Sequence, residues 1–398
     1  MTAIPRYRPS AAPAILSAGF RPFFLLSGLW AAFAVPLWLL LLAAGMVLPV
    51  AMAPPLWHAH EMIFGFGLAT VAGFLFTAVP NWTGRMPLQG APLGALVLLW
   101  FLGRAAMLLG GGLAAPIPAI LDLAFPLALL AAIGREILAG RNWRNLPVLV
   151  AIGMLLLADL LMQSGAAGRI ALALAGARLG IATLVALVTL IGGRIIPSFT
   201  RNWLQRRDPQ GRLPAPFGRL DRAALATSAA ALALWVVLPD SAAAAVLLFA
   251  AGAAHALRLA RWRGIATLAE PLLAVLHLGY AWIAFGLALL GANHFLALLS
   301  ASAALHALTV GAIGTMTLAV MARASLGHTG QALTSSSLLT TVFVLVSVAA
   351  ILRLLAAIVP GNYELLLDLS GAAWAGAFSL FVVRFAPLLA RSRRRDPG

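Results

Sequence analysis

Long apolar runs follow one another along almost the whole chain, broken by short polar stretches. A helix that crosses a bilayer needs about 20 mostly apolar residues. Twelve stretches qualify: 20–44, 57–80, 91–111, 116–138, 146–164, 170–197, 222–239, 241–258, 266–290, 294–321, 337–358 and 366–388. The pattern predicts an all-α, polytopic membrane protein of about twelve transmembrane helices.

The polar breaks alternate in charge. Arginines collect before the first run (Arg6, Arg8, Arg21) and after the even-numbered ones: Arg85; Arg135, Arg141 and Arg144; Arg201, Arg206, Arg207, Arg212 and Arg219; Arg258, Arg261 and Arg263; Arg323; then Arg391, Arg393, Arg394 and Arg395. The intervening breaks carry no arginine at 45–56 and 291–293, and only Glu364 and Asp368 at 360–368. The positive-inside rule then puts both termini in the cytoplasm. The longest polar segment, 201–222, contains Pro209, Pro214 and Pro216 and reads as a cytoplasmic connector. It divides one integral membrane domain, 1–398, into halves of six helices, 20–197 and 222–388. Pro80-Asn81-Trp82-Thr83 ends the second run and Pro197-Ser198-Phe199-Thr200 ends the sixth. Either a four-helix repeat or two interfacial aromatics beside a helix-stopping proline accounts for this likeness.

Composition narrows the class further. The 398 residues are 62% hydrophobic and 10% charged, against about 25% charged in soluble domains. The formal charge of +16 would suggest nucleic acid in a soluble protein. Here its arginines, with no lysine among them, sit between apolar runs as loop charges, so no nucleic-acid partner is expected and membrane lipid is. The absence of cysteine excludes disulfides, thiolate metal sites, iron–sulfur clusters and covalently attached haem. Residues 1–20 hold Arg6 and Arg8 without an apolar core before a cleavage site, which reads as no removed signal peptide.

Ionisable side chains inside such runs are functional candidates, because burying them in hydrocarbon without partners costs several kcal/mol. Trp57-His58-Ala59-His60-Glu61-Met62 opens the second run. His58 and His60, two residues apart, face roughly opposite sides of a helix. They can share one ion only if the chain after Pro54-Pro55 is extended. Glu61 can orient a ligand histidine, relay protons or simply favour a helix N-terminus. His277 and His306 lie 15 residues before and 14 after a turn centred near Ala292, which predicts a matched depth about 20 Å below the outer surface. A metal or cofactor role and structural hydrogen bonding both fit that pair. Arg104, Asp122, Asp159 and Arg178 fall at similar depth in the outer half of runs three to six. They make either two buried Arg–Asp pairs or, through Arg104 and Arg178, a clamp for the carboxylates of a cofactor such as haem. Asp122 and Asp159 can also relay protons. His328 reads as a loop histidine, and His255 and His294 as solvated helix-end histidines. No phosphate-binding loop, dinucleotide fingerprint, zinc-protease helix or serine-hydrolase elbow is present.

Together these stretches resemble the NnrS family of bacterial membrane proteins over nearly the whole length. The resemblance rests on Trp57–Met62 with Gly65-Phe66, on Gly73-Phe74-Leu75 through Pro80-Asn81-Trp82-Thr83-Gly84, and on Gly193-Arg194 with Ile196–Thr200. It continues in His277-Leu278-Gly279-Tyr280 and in His306-Ala307-Leu308-Thr309, with Gly311, Gly314, Met321, Arg323 and Leu326-Gly327-His328-Thr329-Gly330. It implies a haem- and copper-containing protein of the cytoplasmic (inner) membrane, linked to nitric oxide and denitrification and protective against nitrosative stress. It also implies histidine ligands, which adds weight to His58, His60, His277 and His306 and brings in His328. With no cysteine, the haem is non-covalent (b-type).

Two axial histidines across a haem need backbones roughly 12 Å or more apart, wider than the 8–10 Å of packed helices. An adjacent His277–His306 pair therefore suits copper, or one haem ligand each, and His58 or His60 with a histidine from a non-neighbouring helix suits a shared haem. Haem–copper oxidases offer an analogy as twelve-helix proteins with histidine ligands. The histidines here fall in runs two, nine and ten and none in six or seven, so a common fold is not established by it.

The leading expectation is a haem/copper membrane protein that binds or transforms nitric oxide, with electrons from a partner or the quinone pool. Whether it is an enzyme, a nitric oxide-related oxidoreductase, is left open by the sequence. The alternatives are a secondary transporter for a metal or small anion, with midplane histidines between two halves, and a metal-dependent sensor or assembly factor.

Overall fold

A computed structural model describes residues 13–45, 52–114 and 116–391. The expectations placed on Arg6, Arg8 and Arg393–Arg395 lie outside the described residues. Among the described residues there is no strand, and twelve helices are long and apolar enough to cross a membrane. They are α1 Phe20–Ala44, α2 Pro54–Thr83, α3 Ala91–Gly112, α4 Pro116–Ala139, α5 Trp143–Ala167, α6 Ile170–Arg207, α7 Arg219–Val237, α8 Ala242–Ala260, α9 Pro271–Leu296, α10 Ala301–His328, α11 Ser337–Leu355 and α12 Tyr363–Ala390. The chain is an all-α, multi-pass membrane protein. Its outward large side chains are apolar, as a lipid solvent requires: Leu40, Leu109, Ile120 and Val383 are each more than half exposed.

The described residues form two compact units. The first takes residues up to Gly180 with Ala324–Ala332 and the stretch from Phe381; the second takes Ile181–Arg323 and Leu333–Leu380. The break falls inside α6. The polar connector after Arg207 lies in the second unit, where Arg201 Nη2 donates to Pro214 O and Ala215 N to Arg261 O.

Each unit is packed by small residues against large ones, which lets helices approach where lipid supplies no hydrophobic drive between them. In the first unit a Cβ on Gly19, Gly65 or Gly73 of the α1–α2 seam would strike Phe76, Trp30 or Phe24. In the second, Gly279, Gly286 and Gly311 are filled by Met316, Leu308 and Trp282, which sets the antiparallel register of α9 against α10.

That register corrects the expected pairing of His277 with His306. Facing contacts run Gly279 to Met316, Trp282 to Gly311 and Gly286 to Leu308, so His306 stands level with Ala288. From Ala288 back to His277 is eleven residues, about 16 Å along the axis. The two histidines are not at one depth. The turn was misplaced because Asn293 and His294 look like loop residues, whereas α9 continues to Leu296. Asn293 folds its amide onto the loop, donating from Nδ2 to Leu299 O and accepting from Leu299 N. Ala297 takes the left-handed cap and Ser300 caps the next helix through Ala303 N. By the same slip His328 belongs to the last turn of α10 rather than to a loop, its ring tilted against Phe20 at 5.4 Å. Pro197 does not end its helix either; α6 runs on to Arg207.

Two helices carry π-helical stretches, and each begins immediately after a histidine: Glu61–Gly67 after His60 and Ala307–Gly314 after His306. Five residues beyond each histidine stands a glycine, Gly65 or Gly311, covered by a tryptophan of the preceding helix, Trp30 or Trp282. Both indole N–H groups are buried without a hydrogen-bond partner. Each helix closes on Thr-Gly with the glycine at positive φ, Thr83-Gly84 and Thr329-Gly330. Both threonine hydroxyls donate to the carbonyl four residues back, Val79 O and Ser325 O. The helix pairs α1–α2 and α9–α10 thus share one local plan at a spacing of eight helices, a multiple of four.

Gly65→Ala should place a methyl on the Trp30 indole and cost about 1–3 kcal/mol, as overpacking does. Gly153→Ala, where nothing lies within 4 Å of the added carbon, should be neutral or stabilising by about 0.5–1 kcal/mol. Thermal unfolding of the two purified variants in detergent checks the contrast.

Candidate functional site

Five polar side chains from four helices of the first unit converge in the half of the spans away from the arginine-rich ends. α2 supplies His60 and Glu61, α3 Arg104, α4 Asp122 and α5 Asp159. His60, Glu61, Asp122 and Asp159 are fully buried and Arg104 is 5% exposed. His60 and Asp122 each lie six residues into their helix, about 9 Å along the axis.

The sequence brings these groups together by local means. Pro54 and Pro55 start α2 as a helix, so His58 and His60 point apart, as their spacing dictates. His58, half-buried, stacks on Trp38 at 5.2 Å. His60 turns into the bundle. The π turn that follows frees carbonyls from the ordinary helix pattern, and side chains take them up: Trp100 Nε1 donates to Gly65 O at 3.1 Å and Ser27 Oγ to Phe66 O at 3.0 Å. Gly103 of α3 sits on the backbone of Asp122, which lets Arg104 and Asp122 meet.

Arg104 is held on two sides. Its Nη1 donates to both oxygens of Glu61 at 2.6 Å, and its Nη2 pairs with Asp122 Oδ1. His60 is held at both ring nitrogens. Nδ1 lies 3.0 Å from Glu61 Oε1, and Nε2 lies 2.9 Å from Asp122 Oδ2 and 3.1 Å from Asp159 Oδ1. Of the two readings of these charges, the structure shows the ion pair for Arg104, whose terminal nitrogens meet Glu61 and Asp122. Asp159 takes His60 and Gln163 as partners in place of an arginine. Arg178 lies half-buried on α6.

With all three carboxylates ionised, the charges do not balance. Three carboxylates face one guanidinium and one imidazole. With both imidazole nitrogens protonated the group is one negative charge in excess; with a neutral imidazole it is two. Asp159 Oδ2 has no hydrogen-bond partner, and buried charge without a partner is strongly disfavoured. A bound cation corrects both faults. His60, Asp122 and Asp159 each offer one ligand atom, and these atoms lie within 4.8 Å of one another. Glu61, accepting from His60 Nδ1–H, would leave the Nε2 lone pair for the ion, as a carboxylate beside a metal-ligating histidine commonly does. The donor set of one imidazole and two carboxylates fits a divalent first-row metal, copper(II) included.

The remaining histidines differ in what their rings are engaged with. His277 is tied at both nitrogens, Nδ1 to Leu273 O at 3.2 Å and Nε2 to Thr200 Oγ1 at 3.3 Å. His306, half-buried, donates from Nδ1 to Ser302 O at 2.6 Å, which sets its lone pair on Nε2.

Sequence reasoning missed two features. Gln163 closes the first cluster, its Nε2 donating to Asp122 Oδ2 at 2.7 Å and to Asp159 Oδ1 at 3.3 Å. A lone glutamine near a helix end gives no signal. The second unit hides another polar network around His255, which is fully buried rather than solvated. Tyr280 donates its hydroxyl proton to His255 Nδ1 at 2.8 Å and accepts from Arg258 Nη1 at 2.6 Å. His255 Nε2 meets Ser228 Oγ at 2.6 Å, and Arg258 Nε donates to Asp221 Oδ1 at 2.8 Å. The i, i+3 spacing of His255 and Arg258, on one helix face, was the available sign.

A family model described as NnrS protein matches residues 14–393. A comparison with curated proteins gives no match.

Asp122→Ala should strip Arg104 and His60 of their shared anion and destabilise the metal-free protein by about 3–5 kcal/mol. Asp159→Asn removes surplus negative charge and should leave the metal-free protein at least as stable. Thermal unfolding of both variants in detergent with a chelator tests this asymmetry.

Proposed function

The chain belongs to the NnrS family, a membrane protein of the nitric oxide response, and from that premise we propose that it does this work as a copper and haem protein of the cytoplasmic membrane, protecting the cell from nitrosative stress. The observation that carries the copper half is the fully buried His60–Asp122–Asp159 trio inside lipid-spanning helices. A cluster so costly to desolvate is best explained by an ion that repays it.

His60 Nε2, Asp122 and Asp159 would hold the copper. When bound, copper supplies one-electron chemistry and affinity for nitric oxide. The protein's own groups do the rest. Arg104 fixes Glu61 and Asp122, so neither carboxylate swings when the ion leaves. Glu61 orients the imidazole. The apolar surround, with Trp57, Phe64 and Trp100 all nearly inaccessible, excludes water and admits a small uncharged ligand. Glu61, Asp122 and Asp159 are the groups that can pass protons if the ligand is reduced, with electrons from a membrane donor or quinone.

For haem, His306 is the best-suited axial ligand, because Ser302 O anchors Nδ1 and sets the lone pair on Nε2. His58, stacked on Trp38, and His328, tilted against Phe20, are the further candidates. His277 is the least suited of these, since a haem would have to displace the Thr200 hydroxyl from its Nε2 while Nδ1 stays on Leu273 O. The arginine-rich helix ends support an orientation with both termini in the cytoplasm and the His60 cluster toward the outer face.

Metal analysis and absorption spectra of the purified protein test this reading. Wild type should carry copper and a Soret band that shifts with nitric oxide. His60→Ala and Asp159→Ala should lose copper and keep the Soret band, His306→Ala should lose the Soret band, and His277→Ala should keep both. A colourless, copper-free wild type, or full copper in His60→Ala, would contradict it.

A further inference from the structure

Gln163 is the last residue of the helical run Leu146–Gln163 and the only half-buried member of the cluster. Its amide nitrogen is ringed by four potential metal donors. Asp122 Oδ2 lies at 2.7 Å, Asp159 Oδ1 and His60 Nε2 at 3.3 Å, and Met107 Sδ at 3.7 Å. An NH2 group surrounded by two carboxylate oxygens, an imidazole nitrogen and a thioether stands where a cation would. Met107 is 3% exposed, and its main chain is pinned by Trp57 Nε1, which donates to Met107 O at 2.9 Å. Its buried sulfur forms part of the wall.

We propose that Gln163 is the gate of this site, its amide holding the place of the ion until the ion displaces it, and that Met107 is the donor that selects copper. The proposal rests on reading His60, Asp122 and Asp159 as metal ligands. Two carboxylates and one imidazole alone would also accept manganese or cobalt. A thioether adds affinity for cuprous ion and little for hard cations. The position of Gln163 supplies the rest. Its side chain springs from a helix end between the buried donors and the outside, so a rotation about its own bonds opens the cage without moving a helix. While closed, the amide protons give the excess carboxylate charge hydrogen bonds that no cation is providing.

Binding of cuprous ion, and separately of manganese(II), to the full-length protein in detergent tests both parts. Gln163→Ala should take up cuprous ion faster than wild type, by about tenfold, the scale of a neighbour-shell change at a metal site. Met107→Leu, which keeps the volume, should weaken cuprous binding by about tenfold and leave manganese(II) binding unchanged. Unchanged uptake in Gln163→Ala overturns the gate, and equal weakening of both ions in Met107→Leu overturns the selective donor. Thermal unfolding without metal shows whether each variant is folded; Gln163→Asn, a shorter amide, gives a second reading of the gate if the alanine variant is not. His60→Ala separates this inference from the reading beneath it. If wild type binds cuprous ion no better than His60→Ala does, the metal site itself fails; if His60→Ala alone loses binding, the site stands and only gate or donor is in question.

Discussion

The two-sided grip of Arg104 on Glu61 and Asp122 is the interaction on which the site depends. It ties α2, α3 and α4 together through charge in a place where charge is dear. It also fixes the two carboxylates that in turn fix His60, so the imidazole has no freedom at either nitrogen. What Arg104 cannot do is neutralise three carboxylates. The residue of negative charge, concentrated on Asp159 and Asp122 around His60 Nε2, is what a cation would answer. Structure and proposed chemistry therefore have one origin: an ion-pair network that, with its carboxylates ionised, is short of positive charge.

The second unit shows the contrast. Asp221, Arg258, Tyr280, His255 and Ser228 form a chain in which nearly every donor meets an acceptor. One carboxylate answers two guanidiniums there, Arg258 at 2.8 Å and Arg261 at 3.3 Å, and the histidine is used at both nitrogens by neutral hydroxyls. Such a network carries no surplus negative charge for a cation to answer, and it specifies packing. Buried polarity alone is thus no sign of a metal; surplus charge is.

Much of the fold was legible in the sequence because the bilayer imposes a single length scale on apolar runs. All twelve spans stand where the runs are, and the arginine alternation marks their ends. The failures came where polarity was read as a turn. Asn293 and His294 lie inside α9, which moved the α9–α10 turn and destroyed the matched depth of His277 and His306. Pro197 was read as a stop, yet α6 passes it. Of the site, Arg104, Asp122 and Asp159 were visible, with Arg178, as charges at one depth, and His60 and Glu61 as ionisable groups opening the second run. An Arg–Asp pair was foreseen, but the convergence of all five on His60 was not, because residues 18 to 99 positions apart meet only through helix packing. The π turns after His60 and His306 have no signal in periodicity, although the shared His-to-Gly spacing and closing Thr-Gly were there to be seen. Gln163 and Met107 carry no charge and so left no trace.

The central claim is that one imidazole, that of His60, and two carboxylates hold a copper ion within the membrane. Pulsed electron paramagnetic resonance of the copper(II)-loaded protein counts the imidazole nitrogens coupled to the metal. The account predicts coupling to a single histidine, abolished in His60→Ala. Coupling to two or more histidines, or a signal that survives the loss of His60, would contradict it.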